Sequence, residues 1–330
     1  MIGVIGSGSW ATAIVKILQE QHDRTVNWWV RNNAVREGLQ RDGRNPKYLP
    51  NVQLDASRLN ISDNIAQIVA ESKYLFLVIP SAYVASTLEQ LPPIAYKCKK
   101  FISAIKGVIP DKRVSVSVYL ENMLKVKRND ICVISGPTHA EEASRCMPTF
   151  LTMASNSPTL AIEVEQMMHC DYLHTTHTTD IWFLERVGLL KNIYAICAGI
   201  CQGLGYGDNL NAVMVSAAAR ELNRLTKSLS PSAVNFFENC YLGDLMVTCW
   251  SKHSRNRRLG EAIAQGKRLE DIFTEMGMVA EGYYSAKNFH EIGMMTGKLD
   301  GMPISEAVYR ILYENADPKE EINSLIDNAF

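Results

Sequence analysis

Two lysines stand in apolar surroundings, where a lysine needs a reason to be. Lys191 lies in the run Leu189-Leu190-Lys191-Asn192-Ile193-Tyr194, and Lys106 in Ala104-Ile105-Lys106-Gly107. Burying an ammonium group without a partner is strongly unfavourable. Lys191 therefore has two possible fates. It snorkels to the surface along its apolar stem, or it points into a cleft, where loss of water lowers its pKa toward acid–base use. The local sequence leaves both open. Lys106 directly follows an apolar run that reads as a strand, and ligands bind at the carboxyl ends of strands in open α/β sheets. Groups of this kind suit carbonyl reduction, which needs a proton donor beside the new alkoxide and gains from a fixed positive charge.

Other residues have the chemistry to hold anions. Ser254-Arg255-Asn256-Arg257-Arg258 precedes a helical segment from Leu259 to Gln265. Ser254 is a fair N-cap, and an Arg beside a helix start combines bidentate donors with the helix dipole, a phosphate site. The alternative is a solvated basic patch. Gly136-Pro137-Thr138-His139-Ala140-Glu141 follows a strand and should line the same carboxyl edge, unless it is an ordinary turn. Near the amino terminus, Gly6-Ser7-Gly8-Ser9-Trp10-Ala11 separates a strand from a helix. Gly6 permits a tight turn, Gly8 lets the backbone approach a pyrophosphate, and Ala11 is small enough for the helix to pack on the strand. The helix N-terminus then offers free N–H groups to phosphates. The alternative is a tight strand-to-helix turn with no ligand, but the place of the motif near the amino terminus, inside a βαβ unit, leads to the expectation of a bound dinucleotide. The second strand ends in Val30-Arg31-Asn32, without the acid that usually holds the ribose hydroxyls of NAD. Arg31 can accept a 2′-phosphate, so NAD or NADP is expected; stacking of Arg31 on adenine would carry little preference.

These groups need elements to position them. Ile2–Ile5, Val26–Val30, Tyr74–Ile79, Phe101–Ile105 and Ile131–Ile134 read as strands, and Ala11–Gln21 as a helix between the first two. Strands alternating with helices predict an α/β fold with a parallel, doubly wound, Rossmann-like sheet. From about Asp180 the pattern turns helical: Ile181–Gly203, then Asn209–Leu229 stopped by Ser230-Pro231, then Ser232–Asn239, Arg257–Gly266, Leu269–Met276 and Ser285–Gly293. The expectation is a dinucleotide-binding domain over 1–180 and an all-α substrate-binding domain over 181–330. The helix carrying Lys191 is expected at their interface, where ligand clefts commonly lie.

Composition narrows the class further. The chain has 330 residues, 47% hydrophobic and 21% charged, with a net charge of −1. A near-neutral chain has no global pull toward nucleic acid or an anionic membrane, so neither partner is expected. No uncharged apolar run is long enough to cross a bilayer. The chain opens on a strand-like segment, read as the absence of a signal peptide. The eight cysteines, none in a CxxC pair, lie in apolar or helical stretches and read as free, buried thiols. A cytoplasmic location follows as the expectation. His169-Cys170 with His174 and His177 superficially resembles a zinc cluster. The spacing fits no standard pattern, and a strand would put His174 and His177 on opposite faces, so no metal is expected. The pair Cys197 and Cys201 reads as helix packing.

Taken in order, the motifs resemble those of the bacterial-type NAD(P)-dependent glycerol-3-phosphate dehydrogenases. The resemblance runs along nearly the whole chain: GSGSWATAI at residue 6, NPKYLP at 45, VIPS at 78, IKGV at 105, SGPTHAEE at 135, LLKNIYAICAGICQGLGYGDN at 189, GDLMVTC at 243, SRNRRLG at 254 and VAEGYYSAK at 279. It implies interconversion of dihydroxyacetone phosphate and sn-glycerol 3-phosphate, supply of glycerol phosphate for phospholipid synthesis, and a homodimer. Lys191 would be the general acid–base on the C2 oxygen, and Lys106 would touch cofactor and substrate. Asn192, Asp244 and Thr248 would order the cleft around Lys191. Arg255 and Asn256 would grip the phosphate, with Gly136, Thr138 and Ser254 nearby. Gly6, Gly8, Ser9, Trp10, Arg31, Ala140, Arg255, Val279 and Glu281 would serve the cofactor. Two departures stand out: Ala11 replaces the third glycine, and Leu184-Glu185-Arg186-Val187-Gly188 differs from the common form. The rival readings are a β-hydroxyacid or 6-phosphogluconate-type dehydrogenase and a non-catalytic NAD(P)-binding sensor. Arg255-Asn256 and GDLMVTC speak against the first, and the presence of Lys106, Lys191 and Asp244 against the second.

Overall fold

The computed structural model describes all residues except 22–23, 230–234 and 297–300. Its contacts divide the chain into two units: Met1–Ile105 with Val114–Leu184, and Lys106–Arg113 with Glu185–Phe330.

The first unit is built on β1 (Ile2–Ile5), β2 (Val26–Trp29), β3 (Leu59–Ser62), β4 (Tyr74–Leu77) and β5 (Lys100–Ser103). The two-residue segments β6 (Val108–Ile109) and β7 (Val114–Ser115) follow, and then β8 (Ile131–Ser135), β9 (Thr149–Ser155) and β10 (Leu173–Thr178). The main sheet has the order β10-β9-β8-β5-β4-β1-β2-β3. From β3 to β8 every pairing is parallel. This is the doubly wound Rossmann order with β8 as its sixth strand, and it reverses direction between β1 and β4. The strand pair β8–β9 is antiparallel, and β9–β10 is parallel again, so two strands extend the sheet beyond that core. β1, β2 and β8 are buried throughout, as strands covered on both faces should be.

Helices α1 (Ser9–Gln19), α2 (Asn33–Asp42), α3 (Ile65–Glu71), α4 (Val84–Leu88), α5 (Val116–Asn122), α6 (Ala140–Ala143) and α7 (Pro158–Met168) cover the sheet. One apolar cluster runs from β1 and α1 through Trp28, Phe76, Ile134 and Met153 to Leu160 and Val164. Ala11 lies within it, fully buried, so its small side chain meets the packing demand of the missing glycine.

The second unit is helical. It contains α8 (Ile181–Gly203, from Glu185 onward), α9 (Asp208–Leu229), α10 (Asp244–Trp250), α11 (Arg255–Ala264), α12 (Leu269–Met276), α13 (Glu281–Thr296), α14 (Pro303–Tyr313) and α15 (Pro318–Asn328). No helix among the described residues is long and apolar enough to cross a membrane.

Several sequence expectations need correction. The strands at 59, 149 and 173 are additions, and β3 and β10 carry polar residues that obscure their pattern. The helix expected over Ser232–Asn239 does not form in its described part; residues 232–234 and the stop at Ser230-Pro231 lie outside the described residues. Asn235 competes instead: its Oδ1 accepts from Phe237 N at 3.2 Å and its Nδ2 donates to Glu238 at 2.9 Å, closing a turn before the π-turn Asn239–Gly243. Cys98 and Cys146 are exposed, each in left-handed backbone, while the other six thiols are buried; all eight are free. On β10, His174 stacks on Phe150, and His177 faces Glu165 at 3.2 Å.

Candidate active site

The glycine loop is built first by sterics. Gly6 has φ +125°, and a methyl there would lie 2.2 Å from Val78 O, just past β4. Only glycine fits the switch point at this spacing. The loop's carbonyls are then tied inward. Trp28 Nε1 donates to Gly6 O at 2.6 Å, and Asn45 Nδ2 donates to Ser7 O at 3.0 Å. Thr12 N and Oγ1 donate to Gly8 O at 2.9 and 3.1 Å. In a trans peptide the N–H points opposite its carbonyl. The amides of Ser7, Gly8 and Ser9 therefore face away from these anchors. Around Gly8 nothing lies within 4 Å of an added Cβ, so a ligand can approach the backbone closely. Ser9 opens α1, and Trp10 is half-buried against the core. These residues fit a pyrophosphate on a helix N-terminus.

Sequence reasoning gave no role to Trp28 or Asn45. Asn45 opens the NPKYLP motif, and its Oδ1 accepts from Lys47 N and Tyr48 N at 3.2 and 3.0 Å. An Asn-Pro turn signal was legible there; its reach to Ser7 was not.

Arg31 lies exposed after β2, its guanidinium 6.0 Å from the centre of the Tyr83 ring. Asn32 is spent as the N-cap of α2, accepting from Val35 N at 3.1 Å. Ala140 opens α6 and is buried. Gly136 sits where a methyl would meet Phe150 O at 2.3 Å, and Thr138 Oγ1 donates to that same carbonyl at 3.0 Å. The segment after β8 is thus clamped to β9.

The second unit gathers the polar residues named from sequence. Lys191 is 3% exposed, so it does not snorkel. Its Nζ donates to Asp244 Oδ1 and, at 3.0 Å, to Thr248 Oγ1. Lys106 Nζ reaches Asp244 Oδ2 at 3.0 Å. Asp244 is 1% exposed and opens α10, one turn before Thr248. Two cations therefore share one buried carboxylate. Burial drives the Lys191 pKa down to about 7; Asp244 opposes that fall and Lys106 reinforces it. Burial also raises the Asp244 carboxyl, but the two lysines outweigh it and hold the group below the usual carboxylate range.

A line of amides runs away from this cluster. Asn192 Nδ2 donates to Lys106 O at 2.8 Å, and Asn256 Nδ2 to Asn192 Oδ1 at 2.9 Å. Gly282 N donates to Asn256 Oδ1 at 2.8 Å. Sequence did not single out Gly282; a methyl there would lie 2.7 Å from Asn192 O. Ser254 caps α11 as expected, its Oγ accepting from Arg257 N at 3.3 Å. Arg255 is exposed at the first position of that helix, with Nη1 against the Met278 sulfur. Val279 is half-buried, and Glu281 opens α13.

An ammonium poised near neutrality beside a fixed cation, in a chain that also carries a Rossmann unit, places the protein among the dinucleotide-dependent oxidoreductases. The comparisons narrow this. Models for the N-terminal and C-terminal parts of NAD-dependent glycerol-3-phosphate dehydrogenase match residues 1–161 and 180–323. A glycerol-3-phosphate dehydrogenase [NAD(P)+] of Macrococcus caseolyticus is 33% identical over 328 residues, 99% of this chain and 97% of that protein. The Bacillus subtilis protein of the same description is 34% identical, over 98% and 93% of the two chains. A crystal structure of glycerol-3-phosphate dehydrogenase from Coxiella burnetii superposes with a TM-score of 0.91 at 26% identity, covering 99% and 98%. The chain belongs to the NAD-dependent glycerol-3-phosphate dehydrogenase family.

Proposed function

We propose that the protein is an NAD(P)-dependent sn-glycerol-3-phosphate dehydrogenase that reduces dihydroxyacetone phosphate at C2 and runs the reverse oxidation. The observation that carries this reading is Lys191, buried, partnered by Asp244 and Thr248, and shifted toward neutrality. The dinucleotide, when bound, supplies the hydride that reduces the carbonyl carbon. Lys191 Nζ gives its proton to the developing C2 oxyanion in reduction and takes it back in oxidation. Lys106, whose Nζ reaches Asp244 Oδ2 at 3.0 Å, supports negative charge on that oxygen. Asp244 holds both ammonium groups, so the cluster carries one net positive charge before proton transfer and none after it. Thr248 Oγ1 and Asn192 fix the positions of Lys191 and Lys106.

Arg255 and Asn256, with Ser254 capping their helix, are assigned to the substrate phosphate. Gly136 and Thr138 complete that assignment. Gly6, Gly8, Ser9, Trp10, Arg31, Ala140, Val279 and Glu281 hold the dinucleotide, and Lys106 and Arg255 serve both ligands. The working unit is taken as a cytoplasmic homodimer, not bound to membrane, that supplies glycerol phosphate for phospholipid synthesis.

The test compares substrates at fixed coenzyme. Reduction of dihydroxyacetone phosphate, with no oxidation of β-hydroxyacids or 6-phosphogluconate, supports the reading. The opposite pattern transfers the site to the hydroxyacid class.

A further inference from the structure

Helices α8 and α11 meet backbone to backbone. A methyl on Gly199 of α8 would lie 1.9 Å from Arg257 O, and one on Gly260 of α11 would lie 2.0 Å from Ile196 O and 2.8 Å from Ile200 N. Gly203, one turn past Gly199, would meet Glu261 O and the Ala264 side chain at 2.7 Å. The clashing atoms at 199 and 260 are main-chain atoms of the opposite helix. No rotamer change relieves them, so any side chain there must drive the helices apart.

The same two helices carry the two halves of the proposed chemistry. Lys191 and Asn192 ride on α8; Arg255 and Asn256 occupy the first turn of α11. An independent contact ties the same two helices beside these residues: the buried Asn256–Asn192 hydrogen bond at 2.9 Å. Gly260 lies five residues beyond Arg255, about 7.5 Å along the helix axis at the α-helical rise, and moves as one rigid body with it.

We propose that Gly199 and Gly260 are positioning residues that set the distance between the proton-transferring Lys191 and the phosphate-gripping Arg255. Their lack of a side chain acts on the reaction through these two residues and touches no ligand. The inference rests on the function proposed above. A displacement of about 1 Å between a binding group and a reacting group can cost about 100-fold in rate.

The experiment measures kcat/KM of Gly260→Ala for dihydroxyacetone phosphate and for unphosphorylated dihydroxyacetone, with NADH. The second ketone has no phosphate for Arg255 to grip. The expected result is a fall of about 10- to 100-fold for the phosphorylated ketone, mostly in KM. The unphosphorylated ketone and the acid–base profile should stay at wild-type values. Gly266→Ala is the control. It strains a glycine at φ +78° just beyond the same helix, with nothing within 4 Å of the new methyl, and so lowers stability without spreading the helices. It should leave both ketones unchanged. If Gly260→Ala does not fold, Gly203→Ala, with its milder 2.7 Å contacts, carries the same comparison. Equal losses on both ketones, wild-type values on both, or the same discrimination in Gly266→Ala would overturn the proposal. A wild-type protein inactive on dihydroxyacetone phosphate would instead overturn the function on which it rests.

Discussion

The Lys191 ammonium and the Asp244 carboxylate touch inside the helical unit, and both are almost wholly out of water. A buried pair of this kind is weak evidence for stability, because desolvation of the two charges offsets their attraction. It is better understood as a device that sets a proton affinity.

Burial lowers the Lys191 pKa to about 7. Reduction needs the protonated amine, so its rate should fall as pH rises through about 7, while the oxidation rate rises over the same range. Asp244 acts in the raising direction on Lys191. In Asp244→Asn the reduction profile should therefore shift to lower pH, with a stability loss of up to about 3–5 kcal/mol from the uncompensated cations. Profiles of kcat/KM in both directions, with thermal melts, check both statements. Linkage has a definite sign here. The folded chain binds fewer protons at Lys191 than the unfolded chain from about pH 7 up to the ordinary lysine value of 10.5. This group's contribution to stability therefore rises with pH across that window.

Arg255→Ala should raise the KM for dihydroxyacetone phosphate. Loss of a charge-assisted hydrogen bond worth about 1.5–3 kcal/mol corresponds to about 10- to 150-fold in kcat/KM. Initial-rate kinetics read this directly, and an unchanged KM would place the phosphate elsewhere.

The environment of Arg31 makes a coenzyme prediction. Its guanidinium is exposed beside Tyr83, and Asn32 is committed to capping α2. Arg31→Asp should move the NADPH/NADH preference toward NADH by about tenfold or more, since a carboxylate repels a 2′-phosphate and accepts from ribose hydroxyls. Equal rates for both coenzymes in wild type and variant would reduce Arg31 to a stacking residue.

Gly6→Ala tests the glycine loop. Its φ of +125° and the 2.2 Å approach to Val78 O leave no room for a side chain. Destabilisation of about 2–3 kcal/mol is expected, or about 4–12 °C in Tm, together with weaker dinucleotide binding by fluorescence titration.

The legible parts of this molecule are those with local causes. Gly6 and Gly8 stand between an apolar strand and a helix, so the turn follows from neighbours in sequence. Ser254 and Arg255 are legible for the same reason, since a cap is read from adjacent residues. The fate of Lys191 was not legible. The residues one turn away on α8, Val187, Gly188, Tyr194 and Ala195, carry no charge to mark a side of the helix as facing a cleft. Its partner Asp244 lies 53 residues away, and nothing near Asp244 announces a second and third member. Asn45 and Trp28 were missed likewise, because they act on the glycine loop only after folding brings them there. The helices α14 and α15 had local signals that went unread: Pro303 and Pro318 at their first turns, with Asp317 capping the second at 2.9 Å.

The most direct measurement is coenzyme oxidation on adding dihydroxyacetone phosphate, followed at 340 nm for wild type and Lys191→Ala in parallel. The account predicts oxidation of NADH, NADPH or both by the wild type. It predicts a rate lower by about 10²- to 10⁴-fold in the variant, with dinucleotide binding retained. No oxidation by folded wild-type protein that binds the dinucleotide, or near-wild-type turnover by Lys191→Ala, would contradict it.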